Sequence, residues 1–408
     1  MGKAENLLIG LALLPLAASA NGLLAVDNPA RNGSATGVYV TVEAFEVNDR
    51  LTMRQDGKNW LSGRSPSGGT SLGLIAARAE AGAQRDGYRL GVLYRGYAMV
   101  EANRDTADLV SQYSYNGGYD AGRAYQVDYR IKGFEADGLH LSKSFQTNVG
   151  GNWQLDWGIG ASWLRGKRVK VETASGQITT FSTQNFDANV SLDSMDSKVD
   201  TSGGGKFNPP FGAHPSLSGE GAALDLGLVL RRQDGLRLEV AVNDLAGRMV
   251  WKNLPQYAAN YNTDTKYYDA RGYVNFNPLV TAQSCYRDFT QTLDSKVWLA
   301  IGYPIGAFEV QAASSYTRGN WFPEVGVAFH GGSQWSLSAD YDFRFKTTMI
   351  SVRHRSFNLG VNSSRLPGKP GSATASGAGD TLARATPFSP DAGATARCGL
   401  MRPGDVRP

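Results

Sequence analysis

Apolar and polar residues alternate along most of the chain between residues 37 and 364. In QWSLSADYDFRF, residues 334–345, every odd position from Trp335 to Phe345 is apolar, and every even position from Gln334 to Arg344 is polar or charged. Successive side chains of a β-strand point to opposite faces, so a period of two predicts strands with one apolar and one polar face.

The same period recurs in many segments and predicts an all-β protein. A closed single-chain bacterial barrel has an even number of strands, so we expect about 14 strands, within a range of 14 to 16. The pattern gives fifteen segments, so one strand is split, merged or missed among them: 37–48, 71–82, 88–102, 123–136, 138–148, 152–171, 178–192, 220–231, 235–246, 294–304, 307–318, 320–330, 334–345, 347–354 and 356–363.

The connections between these strands are of two kinds. Asp86-Gly87, Asp137-Gly138, Asp234-Gly235 and Pro304-Ile305-Gly306 predict tight turns. The connections at 49–70, 103–122, 193–219 and 247–293 are long, and each leaves the sheet on the side opposite to the tight turns. Outer-membrane barrels have this asymmetry.

The pattern therefore fits two folds, an antiparallel transmembrane β-barrel and a secreted soluble β-sandwich, because both show this alternation. Trp153 and Trp163 lie at the two ends of one apolar face, as in the aromatic girdles of membrane barrels. Asp128, Arg130 and Asp156 lie mid-strand on polar faces, where a wet lumen tolerates charge. We favour the barrel, and the sandwich stays open as an alternative.

The two ends of the chain differ from this central region. A short basic start, an apolar stretch and Ala18-Ser19-Ala20 predict a signal peptide over residues 1–20. Residues 21–36 form a short periplasmic or plug-like segment, residues 37–364 form the barrel, and residues 365–408, rich in Pro, Gly, Ala and Ser, form a disordered tail. This organisation predicts a protein of the outer membrane of a Gram-negative bacterium.

The polar faces supply the candidate lumen residues, which carry both signs of charge. Opposite charges across a narrow lumen would pair and fill it, and 14 strands lie between small filled barrels and the 16–18-stranded porins, so we expect a narrow or plugged channel. The candidates are Arg89, Arg95, Glu101, Asp128, Arg130, Lys132, Asp156, Asp225, Arg231, Arg237, Glu239, Asp340, Asp342 and Arg344.

Catalytic and metal-binding patterns are not apparent. His140, His214, His330 and His354 are scattered without metal-ligand spacing, and each is expected to be an ordinary strand or loop residue. We predict no catalytic residue, no metal and no cofactor, although an outer-membrane hydrolase stays a distant alternative. A disulfide between Cys285 and Cys398 is not expected, and a net charge of +4 does not indicate nucleic-acid binding.

Two segments resemble the long-chain fatty-acid transporter family of outer-membrane barrels. Residues 223–255 resemble a hairpin of that family whose second strand contains Val242-Asn243-Asp244-Leu245. Asn28, Pro29 and Ala30, just before the first strand, match its Asn-Pro-Ala triplet. The resemblance implies that this triplet belongs to a plug inside the barrel, and that the barrel admits hydrophobic compounds.

Two function classes follow. The first is passive transport of a hydrophobic or specific small solute through the barrel. The second is a non-enzymatic component of a secretion, conjugation or surface-assembly system. The expected partners are outer-membrane lipid, the barrel-assembly machinery and a hydrophobic small molecule.

Overall fold

The polypeptide forms one large antiparallel sheet of sixteen strand segments and a separate two-stranded sheet. The computed structural model describes residues 23–32, 36–48, 70–116, 119–182, 185–198, 216–263, 266–268, 270–271, 273–276, 279–331, 335–354, 357–363 and 399–400. The strands are β1 (Gly37–Asn48), β2 (Ser71–Arg85), β3 (Tyr88–Ala102), β4 (Ala124–Gly150), β5 (Trp153–Thr180), β6 (Phe186–Asp196), β7 (Ser218–Arg232), β8 (Arg237–Asn262), β9 (Lys266–Tyr268), β10 (Val274–Phe276), β11 (Val280–Thr292), β12 (Lys296–Ile305), β13 (Phe308–Thr317), β14 (Asn320–Gly331), β15 (Trp335–Asp342), β16 (Thr347–His354), β17 (Phe357–Ser363) and β18 (Gly399–Leu400).

At two positions of the large sheet, two successive strand segments together occupy the place of one strand. β6 and β7 both lie between β5 and β8, and each pairs with a different part of β5. β11 and β12 pair in the same way with successive parts of β8. With each interrupted strand counted once, the sheet has 14 strands and contains a ring of hydrogen-bonded strands. The predicted antiparallel barrel of about 14 strands is confirmed, and a two-sheet sandwich is not formed.

The long connections leave the barrel at one end, together with short turns after β5, β13 and β15, and the connections at the other end are short. The long connections after β1, β3 and β8 define a loop end, and the short ones after β2, β4, β7 and β12 define a turn end. At the turn after β2, Asp86 and Gly87 both have positive φ, 50° and 79°. Two consecutive residues of this kind form the type I′ turn that suits a two-residue hairpin.

Polarity is distributed inside out relative to a soluble protein. On β7, Leu226 and Leu228 are 39% and 46% exposed, whereas Asp225, which directly precedes Leu226, is 0% exposed. On β14, Val325 is 45% exposed and the neighbouring Glu324 only 8%. The wall therefore presents aliphatic side chains outward and buries charged ones, which is typical of outer-membrane barrels.

The helix α1 (Arg104–Asn116) lies in the first half of the predicted 103–122 connection. Asn103 caps its start, since its Oδ1 accepts from the Thr106 backbone N–H at 2.8 Å. Leu109 packs on the outward side chains of Tyr125 and Val127, so protein covers the outer wall at the loop end. Within the described parts of the chain, no helix has the length and apolarity to cross a membrane.

The predicted Asp137-Gly138 turn is wrong. β4 runs unbroken from Ala124 to Gly150, and Asp137 and Gly138 pair with Arg165 and Leu164 of β5. The register shifts beside this point, between Glu135 and Ala136, and a Cβ at Gly138 would collide with the carbonyl of Trp163. The glycine permits a close approach of two strands, and the predicted strands 123–136 and 138–148 are one.

Much of the predicted connection 247–293 is also strand. β8 continues to Asn262, and β11 occupies Val280–Thr292. Asp244, Ala246 and Asn253 have positive φ of 61°, 53° and 56°. These left-handed residues interrupt the period of two, so the second half of β8, from Asp244 to Asn262, does not show a regular alternation of apolar and polar residues.

Cys285 on β11 is disulfide-bonded, contrary to expectation, and the sequence has one other cysteine, Cys398. The next residues, Gly399 and Leu400, pair with Ser284 and Gln283 of β11. The predicted signal peptide lies outside the described residues, as does the predicted tail apart from these two. Both stay predictions.

Substitution of Leu226 by Arg tests the outward face. If this face meets lipid near the bilayer midplane, we expect a loss of about 2–4 kcal/mol in the free energy of unfolding. Leu226→Ile is the matched control and should fold as the parent does. Refolding into lipid vesicles across a urea series measures both, and equal stability of the Arg and Ile variants would contradict a lipid-facing wall.

Candidate functional site

The first described residues lie inside the barrel. Leu23, Leu24, Ala25 and Val26 are at most 7% exposed and belong to the same buried cluster as Trp251, on β8. Asp27 to Asn32 follow, and all except Arg31 are buried. We call Leu23–Asn32 the plug segment, because it fills interior space next to the inward faces of the strands.

Asn28, Pro29 and Ala30 form a tight turn in the plug segment. Pro29–Arg31 is a single 3₁₀ turn, and Asn28 caps it by accepting from the Ala30 backbone N–H at 3.0 Å. Proline suits this first helical position, because its missing N–H would have had no partner there. The local sequence thus specifies a rigid corner.

Two glycines on neighbouring strands receive this corner. Gly158 on β5 and Gly227 on β7 are paired directly across the sheet. A Cβ at Gly158 would lie 2.5 Å from the carbonyl carbon of Pro29, and a Cβ at Gly227 would lie 2.9 Å from the Ala30 nitrogen and overlap Asn28 Oδ1. The wall needs glycine at both positions for the plug segment to lie against it.

Asn243, from the segment that resembles the transporter family's hairpin, contacts Asp27, the residue before Asn28-Pro29-Ala30, although the two are 216 positions apart in the chain. Asn243 Oδ1 accepts from the Asp27 backbone N–H at 2.6 Å, and Asn243 Nδ2 donates to the Asp27 carbonyl at 2.8 Å. One wall amide thus satisfies both backbone groups of a buried plug residue.

The left-handed conformation of Asp244 lets two consecutive residues of β8 reach the interior. Asn243 and Asp244 are 2% and 1% exposed. Asp244 accepts two hydrogen bonds from Arg95, at 2.6 and 2.5 Å, and lies 3.2 Å from Lys296 Nζ. A buried carboxylate with two cationic partners is a stable arrangement where a single buried charge would not be.

A second group of charges surrounds the Asp27 carboxylate. Arg78 Nη2 and Arg89 Nη1 lie 3.4 and 3.3 Å from its oxygens. The same two arginines lie 2.7 and 3.2 Å from the carboxylate of Glu80, which also accepts from Tyr39 Oη at 2.5 Å. The plug segment therefore completes a buried ion network that β2 and β3 begin.

Arg31 leads from the plug segment to a cavity of about 80 Å³. Its guanidinium donates to Glu239 Oε2 at 3.0 and 2.5 Å. The cavity is also lined by Glu309, Glu324 and Asp340, besides Trp298 and Met349. A volume of this size holds only a few water molecules, at about 30 Å³ for each in the liquid.

Most of the predicted lumen residues form ion pairs or polar contacts in the interior. Their ion-pair partners lie on the plug segment, on other strands or on connections. The pairs are Arg89 with Asp27, Arg95 with Asp244, Glu101 with Arg318, Lys132 with Asp294, Asp156 with Arg231, Arg237 with Glu309, and Glu239 with Arg31. Asp225 accepts from the Asp244 backbone N–H at 3.1 Å, and Asp340 contacts Gln311 and Ser338.

Four predicted lumen residues lie at the loop end. Asp128 and Arg130 contact each other at 3.4 Å and have side chains 48% and 58% exposed. Asp342 accepts from the Phe345 backbone N–H at 2.6 Å, and Arg344 is exposed on the turn after β15, where it donates to the Thr70 carbonyl at 3.2 Å. The assignment of Arg344 to the lumen wall is wrong, because β15 ends at Asp342 and the alternation ends with it.

Because of the same turn, the side chain of Phe345 lies in the interior, whereas the alternation places it on the apolar outward face. Phe345 is 7% exposed and stacks on Phe322 at 5.5 Å in the interior. Sequence reasoning also missed Arg78, Glu80, His140 and Lys296. Arg78, Glu80 and Lys296 occupy polar positions of period-two segments, so that signal was available, whereas His140 was expected to be an ordinary strand residue.

The comparisons with known proteins give one match. Residues 67–369 match DUF5723, a family of unknown function. The chain belongs to this family. The DUF5723 match includes Gly158, Gly227 and Asn243, the wall positions that contact the plug segment, whereas the plug segment precedes it. No curated protein and no solved structure matches this DUF5723 chain.

Asn243→Ala should loosen the plug segment. Two hydrogen bonds to buried backbone groups disappear, and each unsatisfied group costs about 1–3 kcal/mol. We expect faster tryptic cleavage after Arg31, followed by mass spectrometry of the peptide that ends there. Asn260→Ala removes an exposed contact with Ser191 and is the control. Identical cleavage rates in both variants would contradict the anchoring role of Asn243.

Proposed function

We propose that the protein is an outer-membrane β-barrel that carries a hydrophobic or specific small solute passively, and that the plug segment closes it at rest. The observation that carries the proposal is the fit between the plug segment and its wall. Gly158 and Gly227 leave room for the Asn28-Pro29-Ala30 turn, and Asn243 bonds the Asp27 backbone.

The inside-out polarity supports the membrane location. A wall with exposed Leu226 and Leu228 and buried Asp225 would be unfavourable in water, because aliphatic surface stays hydrated and charge is desolvated. In a bilayer the aliphatic surface meets lipid and the inward charges pair with one another. The protein would reach the outer membrane through its signal peptide and the barrel-assembly machinery.

The filled interior supports selective rather than general passage. The ion pairs of Arg95 and Arg237 link inward faces of different strands, and Lys132 pairs with Asp294 on the connection between β11 and β12. The described cavity is about 80 Å³, which is small for a drug-sized solute, since such ligands occupy sites of about 300–1,000 Å³. Passage of a solute therefore requires displacement of the plug segment, and the barrel would conduct ions poorly.

The resemblance to the long-chain fatty-acid transporter family supports a hydrophobic solute. Asn28-Pro29-Ala30 lies against Gly227 of the matching hairpin, and Asn243 of the same hairpin bonds Asp27, the residue before the triplet. Two unrelated short matches would have no reason to meet in space. We assign no reaction to this site.

The length of three strands favours a second candidate, a component of a secretion or surface-assembly system. β4, β5 and β8 have 27, 28 and 26 residues, whereas a transmembrane strand needs about 9–11. The wall thus extends well beyond a bilayer at the loop end, where α1 covers it. Such an extension offers a surface for a protein partner.

Planar-bilayer conductance of Gly227→Leu tests the proposal. The added side chain would collide with Asn28 and Ala30, so we expect a small current in the parent protein and a clearly larger one in the variant. Gly37→Leu is the control, since no atom lies within 4 Å of a Cβ at that position. A large, stable, voltage-independent current in the parent protein would overturn the plugged barrel and favour a general porin.

A further inference from the structure

Three metal-ligating side chains from separate elements converge beneath the plug turn. His140 Nε2, on β4, lies 3.8 Å from Asp27 Oδ2 of the plug segment and 3.6 Å from Asp225 Oδ2 of β7. One ligand atom from each residue lies within 4.8 Å of the other two. Asp27, His140 and Asp225 form what we call the triad.

Two of these ligand atoms are left without hydrogen bonds. His140 and Asp225 are both 0% exposed, and neither His140 Nε2 nor Asp225 Oδ2 has a hydrogen-bond partner among the described residues. An unsatisfied buried polar group costs about 1–3 kcal/mol, and more if it is charged. A bound species between these atoms would satisfy both.

A neighbouring carboxylate orients the imidazole for such a species. His140 Nδ1 lies 3.1 Å from Glu80 Oε1. In the tautomer with its proton on Nδ1, His140 donates to Glu80 and its Nε2 lone pair points at the two aspartates. Metal-ligating histidines commonly donate their other N–H to a carboxylate in this way. In that tautomer a bare lone pair would face two carboxylates, which is repulsive, and a cation between the three groups would be the complement.

Among the described residues, the nearby cationic side chains form ion pairs with Asp27, Glu80 and Asp244 and none with Asp225. Arg78 also lies 3.3 Å from His140 Nδ1, but Arg78 and Arg89 contact Glu80 at 2.7 and 3.2 Å. Arg95 and Lys296 contact Asp244 at 2.5 and 3.2 Å. The carboxylate of Asp225 thus has no closer cationic partner than His140 itself.

We propose that the triad binds a divalent transition-metal ion, for which Zn²⁺ fits the ligand set best. Zn²⁺ accepts one imidazole nitrogen and carboxylate oxygens at about 2.0–2.2 Å, with water completing a tetrahedron. A tetrahedron with bonds of that length has edges of about 3.3–3.6 Å, and His140 Nε2 lies 3.8 and 3.6 Å from the two aspartate oxygens. The ion would tie the plug segment to β4 and β7, and its binding does not depend on the transport function.

Zn²⁺ binding to the full-length protein tests the site directly. The protein, purified without a histidine tag and stripped with a chelator, is titrated with ZnCl₂ in a calorimeter, and bound metal is measured by elemental analysis. We expect one Zn²⁺ per chain with a micromolar or lower Kd. His140→Gln and Asp225→Asn should each weaken binding at least tenfold, whereas Asp288→Asn, at an exposed residue paired with Lys252, should not.

A second readout separates a lost ligand from a misfolded variant. Each variant is first checked for the heat-dependent band shift of a folded barrel. Zn²⁺ should raise the temperature of that shift in the parent and in Asp288→Asn, and should leave it unchanged in the two triad variants. Absence of Zn²⁺ binding by the parent, or unchanged affinity in both folded triad variants, would overturn the site and leave shared protons as the complement.

Discussion

Charge buried inside the barrel is the constraint on which the rest of the structure depends. Each inward carboxylate or guanidinium loses its hydration and is stable only if another buried group compensates it. The wall supplies many of these partners itself, as in the pair of Arg95 and Asp244. Around Arg78 and Arg89 it does so only in part, and Asp27 of the plug segment completes the network.

This dependence explains how a short segment of chain is held inside the barrel. Leu23 to Val26 contribute apolar contact to the core, but apolar contact has no direction. The hydrogen bonds of Asn243 to Asp27 and the ion pair of Arg31 with Glu239 fix where the segment lies. Gly158 and Gly227 then set how closely it approaches the wall. Polar contacts therefore fix where the plug segment lies, and the absence of side chains at the two glycines lets it approach the wall.

Much of this could be predicted from the sequence, because alternation reports which face a residue occupies. The barrel, the strand count and the inward placement of Asp225, Arg237 and Glu239 follow from the period of two. The placement of Asn28-Pro29-Ala30 inside the barrel came from a resemblance, not from the pattern. Pairing partners could not be predicted, since alternation gives a face and no distance.

The failures occur where the backbone departs from regular strand. Asp244, Ala246 and Asn253 adopt left-handed conformations that shift the period along β8, and Asp137-Gly138 lies beside a bulge instead of in a turn. Phe345 and Arg344 lie on a turn that the alternation runs straight through. His140 carried no signal, because its significance depends on Asp27 and Asp225, which are distant in the chain.

Hydrogen–deuterium exchange of the full-length protein in lipid nanodiscs tests most directly whether the plug segment is an integral part of the barrel interior. The amides of Asp27 and Ala30 are hydrogen-bonded to Asn243 and Asn28 and buried. The account predicts that peptides covering residues 23–32 exchange as slowly as those of β8. Exchange at the rate of an unstructured peptide would show that the segment does not occupy the barrel and would contradict the account.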